Sequence, residues 1–319
     1  MFFDGGLAPG AATQALLPQE LEQTRAWREV LLAGVQPDAI SRFVDPRLGK
    51  VYSAFAVTVG GRRLVVKEAE ADEVAVYREY LVGRGLPVPE LLGVAETAGS
   101  SWLLLESISG SDLQRCTVEQ ARDAGRAVGQ IAASRWSEQG GSRKAIAAYS
   151  AQLHGDTDVI AGFPEVGRAY AELARRVQSG PWGLGHADLL PLNVLHDGKQ
   201  AWVIDWGYGD VLPVMLDPGR FLAQGGPGER LPFLYEDGVH QAFLVAWLDE
   251  VRRHVRTSLT LDLMFRDVLL EQVPQQVECF RWVARMEAAG EELPDFYDPQ
   301  RDYDAHVTAA RRLAREALS

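Results

Sequence analysis

Four residues in one short stretch have the types and spacing for a single piece of chemistry. His186, Asp188 and Asn193 form the pattern H-x-D-x-x-x-x-N, and a short apolar run, Trp202-Val203-Ile204, then delivers Asp205. Residues 193–196 and 200–204 are strand-like, with Asp197-Gly198 between them as a two-residue hairpin signal. A hairpin folded there brings Asp188, Asn193 and Asp205 close together. Two carboxylates and an amide are hard oxygen donors, the set that Mg²⁺ takes when substrate phosphates complete its shell. The pattern fixes only three residues, and an aspartate after an apolar strand is commonly a turn residue. The assignment therefore depends on what the rest of the chain supplies.

That chain has 319 residues, 47% hydrophobic and 24% charged, enough for two lobes each with a core. A net charge of -12 argues against a general nucleic-acid binder and favours cationic substrates. Cys116 and Cys279 have no metal-ligand spacing and read as buried free thiols. No basic leader and no apolar run of about 20 residues is present. The expectation is a cytoplasmic enzyme with access to ATP, no membrane-spanning helix and no membrane partner.

Residues 1–16 read as a loose tail, and Pro18 opens a helical pattern that Gly34 stops. Residues 51–59 alternate as a strand, Gly60-Gly61 is a turn, and residues 62–67 return. Lys67 is one of only four lysines in the chain and ends the run Leu64-Val65-Val66, where an ammonium needs an anion. A helix over residues 70–82 offers two, Glu73 and Glu79, before Pro87 and Pro89 stop it. Strands at 91–95 and 102–106 complete a five-stranded lobe. From Thr117 the pattern turns helical, opened by a Thr117–Gln120 capping box. Helices are expected near 165–178, 235–255, 261–289 (kinked or broken at Pro274) and 303–318. A strand-rich first third and a helix-rich remainder make an α+β chain of two lobes.

Taken in order, these parts resemble the aminoglycoside phosphotransferase and choline kinase family, small-molecule relatives of protein kinases. H-x-D-x-x-x-x-N is followed by Ile204-Asp205-Trp206 where protein kinases carry D-F-G. Glu79-Tyr80-Leu81 precedes Gly85-Leu86-Pro87-Val88-Pro89, and Leu103-Leu104-Leu105-Glu106 stands ahead of Gly110. Asp217-Pro218-Gly219-Arg220-Phe221-Leu222 matches the family's structural aspartate and the helix after it. The resemblance covers roughly residues 40–225.

It implies a bilobal protein-kinase-like fold. A five-stranded antiparallel N-terminal lobe would span residues 1–106, a hinge 107–111, and a mostly helical lobe 112–319. It also implies ATP and Mg²⁺. Gly49 would sit in the phosphate-covering loop. Lys67 would hold the α- and β-phosphates, oriented by Glu79, the family's choice between the two glutamates. Ser107 and Ile108 would meet adenine through their main chain. Asn193 and Asp205 would hold Mg²⁺, Asp188 would accept a hydrogen bond from the acceptor hydroxyl, and His186 would brace the loop. Ala187 departs from the glycine common after the histidine, and Leu190-Pro191-Leu192 from His-Pro-Gly; both bear on loop shape. Gly49-Lys50 is not a Walker A loop, because Val44 and Val51 occupy positions that require Gly and Ser or Thr.

The acceptor is expected to be a small molecule with a hydroxyl group. Residues 287–304 carry Glu287, Glu291, Glu292, Asp295, Asp298, Asp302 and Asp304 against Arg301 alone, which suits a polyamine sugar such as an aminoglycoside. Trp282, Phe296 and Tyr297 offer instead a cage for a quaternary ammonium, as in choline recognition. Amino alcohols and neutral sugars stay open, and so does a non-catalytic ATP-binding pseudokinase. The lysine, the base and the metal aspartate that a pseudokinase would lose are all in place. A protein kinase is disfavoured by I-D-W and by the lack of an A-P-E segment.

Overall fold

The computed structural model describes residues 12–45, 50–97, 99–223, 225–226, 233–290 and 299–319. They divide into two compact units. The first holds the described residues up to Arg115 together with Pro191–Gly209; the second holds Cys116–Leu190 and Asp210–Ser319. The hairpin that carries Asp205 thus groups with the strands, not with the helices around it in sequence.

The first unit is built on the expected antiparallel sheet. Its order is Ala12–Ala15, Ala39–Asp45, Lys50–Val59, Arg62–Ala69, Ser100–Glu106, Leu91–Thr97. The first strand is an addition, formed by residues expected in a loose tail. All four of its side chains are exposed, so it shows no alternation; backbone pairing with Ala39–Asp45 holds it. The helical pattern after Pro18 forms two short helices, Pro18–Gln23 and Arg25–Leu31. They bring Trp27 (1% exposed) against Phe55 and Trp102, with ring centroids 5.5 and 5.9 Å away. A three-stranded sheet, Ala201–Val203, Val194–His196 and Ser111–Asp112, completes the unit. Gly110 passes so close to it that a Cβ there would lie 2.7 Å from the His196 carbonyl oxygen.

The second unit is mainly helical. Helices Pro164–Ser179, Leu261–Ala289 and Pro299–Leu318 bury Leu173, Val177, Val273, Val277, Leu313 and Ala314 in one core. Of the kink or break expected at Pro274, the break does not occur: Leu261–Ala289 runs through it as one helix. An interior proline costs about 3 kcal/mol. Leu270, Val273 and Val277, all at 0% exposure, offset that at roughly 1.5–3 kcal/mol for each fully buried side chain. The helix expected to begin at Tyr235 starts instead at Val239. Phe233–Tyr235 is a strand, and Gly238 at φ 89° turns the chain into the helix. Among the described residues no helix is long and apolar enough to cross a membrane.

Helix Val118–Ala133 packs closely against helix Val239–His254 in this unit. Gly125 and Gly129 lie one turn apart on one face. A Cβ on Gly125 would come 2.3 Å from the Phe243 carbonyl oxygen, and one on Gly129 2.7 Å from that of Trp247. Neither backbone oxygen can yield without the helix shifting. Gly125→Ala is expected to destabilise the protein by about 1–3 kcal/mol despite the better helix propensity of alanine. Urea unfolding checks this; a midpoint at or above that of the parent chain would mean the helices separate freely.

Candidate active site

Lys67 lies inside the large sheet, in register with Ala54 on one side and Leu103 on the other. Its side chain is 22% exposed. The ammonium donates to Glu73 Oε1 at 2.9 Å and to the carboxylate of Asp205, 138 residues away in sequence. Burial pulls the lysine pKa down, but the two carboxylates outweigh it and hold the group above its ordinary value. The helix glutamate that meets Lys67 is therefore Glu73, not Glu79. Helix Ala71–Val76 presents Glu73 inward at 3% exposure, and a wider π-helical turn follows over Tyr77–Leu81. Six residues on, Glu79 lies on the exposed side.

The hairpin forms with Val194 opposite Val203 and His196 opposite Ala201. Asp197 closes its turn, accepting from the Lys199 and Gln200 amides and from Trp202 Nε1. The Trp202 bond first, then those amides, draws the Asp197 carboxyl down to about 2. Beyond the hairpin the Ile204 amide donates to the Asn193 carbonyl at 2.9 Å, which sets Asp205 beside Asn193. Asp205 itself adopts φ 67°, in the left-handed region.

Lys67, Glu73 and Asp205 border a cavity of about 1310 Å³ within the first unit; Asn193 is not among its lining residues. Lys67, Glu73, Asp205, Ser107 and Ile108 line it, and so does Tyr77. The Tyr77 hydroxyl is buried with no hydrogen-bond partner among the described residues, a donor left for something else in the cavity. Together with one amide and one carboxylate as hard oxygen donors and a lysine cation, this fits a nucleotide and Mg²⁺. Among the described residues no cluster of three or more His, Cys, Asp or Glu forms a metal site. A magnesium ion carried on phosphates needs only one or two protein donors. Gly49 lies outside the described residues.

The remaining expected residues belong to the second unit. Asp217, buried at the start of helix Leu216–Ala223, accepts from the His186 amide at 2.7 Å and the Ala187 amide at 3.0 Å. Burial raises its carboxyl pKa, and His186 and these amides oppose the rise. Held in this way, Ala187 takes φ 66°. That is the conformation a glycine supplies without strain, and it costs an alanine about 1–2 kcal/mol. His186, 1% exposed, accepts the Asp188 amide on Nδ1 at 3.2 Å. Asp188 in turn is gripped by Arg220, whose Nε lies 3.0 Å from Oδ1 and whose Nη2 reaches the same oxygen.

The sequence motifs do not mark Arg220 as a site residue, and they favour Glu79 over Glu73. Arg220 left one signal, an arginine between glycine and Phe221-Leu222 in a helix otherwise apolar there. Of the acidic run, Glu287 and Asp304 are exposed; Glu291, Glu292, Asp295 and Asp298 lie outside the described residues, as do Phe296 and Tyr297.

A family described as the phosphotransferase enzyme family (APH) matches residues 47–255. The chain belongs to that family. Among curated proteins no relative matches. Among solved structures the fold is similar to a thermostable mutant of aminoglycoside phosphotransferase APH(4)-Ia, in ternary complex with ADP and hygromycin B. The TM-score is 0.56 at 17% identity, over 93% of this chain and 99% of that one. It is similar also to a choline/ethanolamine kinase family protein from Mesorhizobium loti, at TM-score 0.59 and 16% identity over 93% and 95%. A third likeness is to an amicoumacin kinase in complex with AMP-PNP and Ca²⁺, at 0.57 and 13% over 94% and 96%. The fold is that of the kinase-like phosphotransferases.

Behind the helix that carries Asp217 lies a buried acid. Glu271, 2% exposed, packs on Gly219, where a Cβ would come 2.5 Å from its own. Its Oε2 accepts from the Tyr149 hydroxyl at 2.6 Å. Burial pushes the Glu271 carboxyl up to about 8, Tyr149 opposes this, and Asp267 and Asp217 add to it. The folded state therefore keeps a proton that the unfolded chain releases near its ordinary 4.5. Stability from this group is complete below about pH 4.5 and is lost as pH rises through about 8. Glu271→Gln should flatten the fall in unfolding temperature across that window, read by thermal scans in matched buffers. An unchanged slope would assign the loss to other groups.

Proposed function

We propose that this protein is an ATP- and Mg²⁺-dependent phosphotransferase that moves a γ-phosphoryl group to a hydroxyl of a small molecule. The observation that carries the reading is Lys67, held between Glu73 and Asp205 in a cavity of nucleotide size. A lysine compensated by two carboxylates can exchange one of them for phosphate oxygens without leaving a bare charge. In this reading Lys67 orients the phosphates and Glu73 keeps the lysine in place. The main chain at Ser107 and Ile108 meets the base. Asn193 and Asp205 are the residues that would hold Mg²⁺, which when bound offsets charge as the phosphoryl group transfers.

Asp188 takes the hydrogen bond of the acceptor hydroxyl. Oxygen attack on phosphorus forms one P–O bond, the bond to the ADP oxygen breaks, and Asp188 receives the hydroxyl proton. His186 and Asp217 keep the loop that presents Asp188 in shape. For the acceptor we propose an amine-bearing hydroxyl compound, supported by the net charge of -12 and by the acidic composition of residues 287–304.

Two measurements test this. Calorimetric ATP binding should require Mg²⁺, weaken strongly in Asp205→Ala and in Glu73→Gln, and change little in Glu79→Gln. Binding at equal affinity with and without metal would remove Asp205 from its role. ADP release should respond to one class in a panel of hygromycin B, choline, ethanolamine and neutral sugars. A preferred neutral sugar would discard the amine-bearing class while leaving the phosphotransferase reading intact.

A further inference from the structure

Arg220 is the one strongly buried arginine among the described residues, at 5% exposure, and the roles above make no use of it. Its guanidinium spans two elements. On one side Nε and Nη2 both meet Asp188 Oδ1; on the other Nη1 meets Gln275 Oε1 and Glu278 Oε2, the latter at 3.3 Å. Burial pulls its pKa down, and Asp188 and Glu278 outweigh that, so the group stays charged. Gln275 and Glu278 belong to Leu261–Ala289, the helix that the core of the unit locks in place.

We infer that Arg220 is the positioning residue that sets the orientation of the Asp188 carboxylate for the acceptor hydroxyl. This rests on Asp188 being the group that meets that hydroxyl. An aspartate's χ2 is a broad, soft torsion, and an oxygen that swings cannot define a line of attack. Two N–H groups of a planar fork converging on Oδ1 stop the swing. A lysine offers a point charge with no such geometry. Gln275 and Glu278 fix the fork from behind, so the carboxylate takes its bearing from the long helix as well as from its own loop. A buried ion pair with only a structural part predicts different kinetics, because its loss would act on folding and not specifically through Asp188.

The test compares Arg220→Lys, Arg220→Met and Glu278→Gln in the full-length protein. ADP release from Mg-ATP is followed with the best acceptor of the panel above. Arg220→Met should lower kcat about 100-fold, the scale of a misplaced reacting group. Arg220→Lys should lower it about tenfold, and the KM for ATP should stay within about twofold in both. Arg220→Lys keeps the charge and serves if Arg220→Met does not fold. Glu278→Gln, which loosens the fork from behind, should give a smaller fall in kcat.

The deciding arm repeats Arg220→Lys in an Asp188→Asn background. If the arginine acts through Asp188, the second substitution adds less than about twofold there. Full additivity, or normal kcat in Arg220→Lys, overturns the proposal. Failure of the phosphotransferase reading shows separately, as a parent protein that transfers to no acceptor; it removes the role of Asp188 and this proposal with it.

Discussion

An ammonium inside a sheet is tolerated only where anions reach it, and Lys67 is reached twice. Glu73 comes from the next element in sequence, Asp205 from a hairpin synthesised much later. Each carboxylate would itself be costly at 4% and 12% side-chain exposure without the lysine. Three charges that are unfavourable singly are acceptable as a set, and the set ties hairpin to sheet. Replacing one carboxylate leaves a partly compensated cation; replacing the lysine leaves two like charges together, the more damaging change. In the proposed reading, phosphate oxygens would replace one of the two carboxylates at Lys67.

The second unit uses a different device. Asp217 spends a buried carboxylate on two consecutive backbone amides, and this holds His186 and Ala187 in a conformation the chain would not choose alone. The strain at Ala187 is small beside the hydrogen bonds of a charged acceptor, each about 1.5–3 kcal/mol. This explains how alanine stands where a glycine would be unstrained. Above it, Arg220 couples Asp188 to the long helix. A carboxylate with a proposed chemical role is thus supported by two others that do no chemistry, Asp217 and Glu278.

Local rules made part of this legible in the sequence. Alternation marked the strands on either side of Gly60-Gly61, Asp197-Gly198 marked the hairpin, and the Thr117–Gln120 capping box is formed by both of its hydrogen bonds. The order of family motifs added the fold, and it pointed to Lys67 and Asp205 as members of one site. What stayed hidden depends on phase and on distant packing. Glu73 and Glu79 differ by the rotation of one short helix and by a π turn that no periodicity announces. The strand Ala12–Ala15 exists through backbone pairing alone. Continuity through Pro274 is decided by core contacts against Pro164–Ser179 and Pro299–Leu318. Arg220 becomes meaningful only once Gln275 and Glu278, more than fifty residues later, are seen to hold it.

The first unit is not a contiguous piece of chain. The strand carrying Lys67 is complete early, but its second carboxylate belongs to Pro191–Gly209. On a ribosome, residues 116–209 emerge in between, roughly 5–20 s of synthesis at common rates. For that interval the large sheet has all its strands but Lys67 is one anion short. A fragment ending near Arg115 would keep this incomplete state permanently, with Lys67 lacking Asp205. A graft that moves it to another protein has to carry Pro191–Gly209 as well, joined through a new linker.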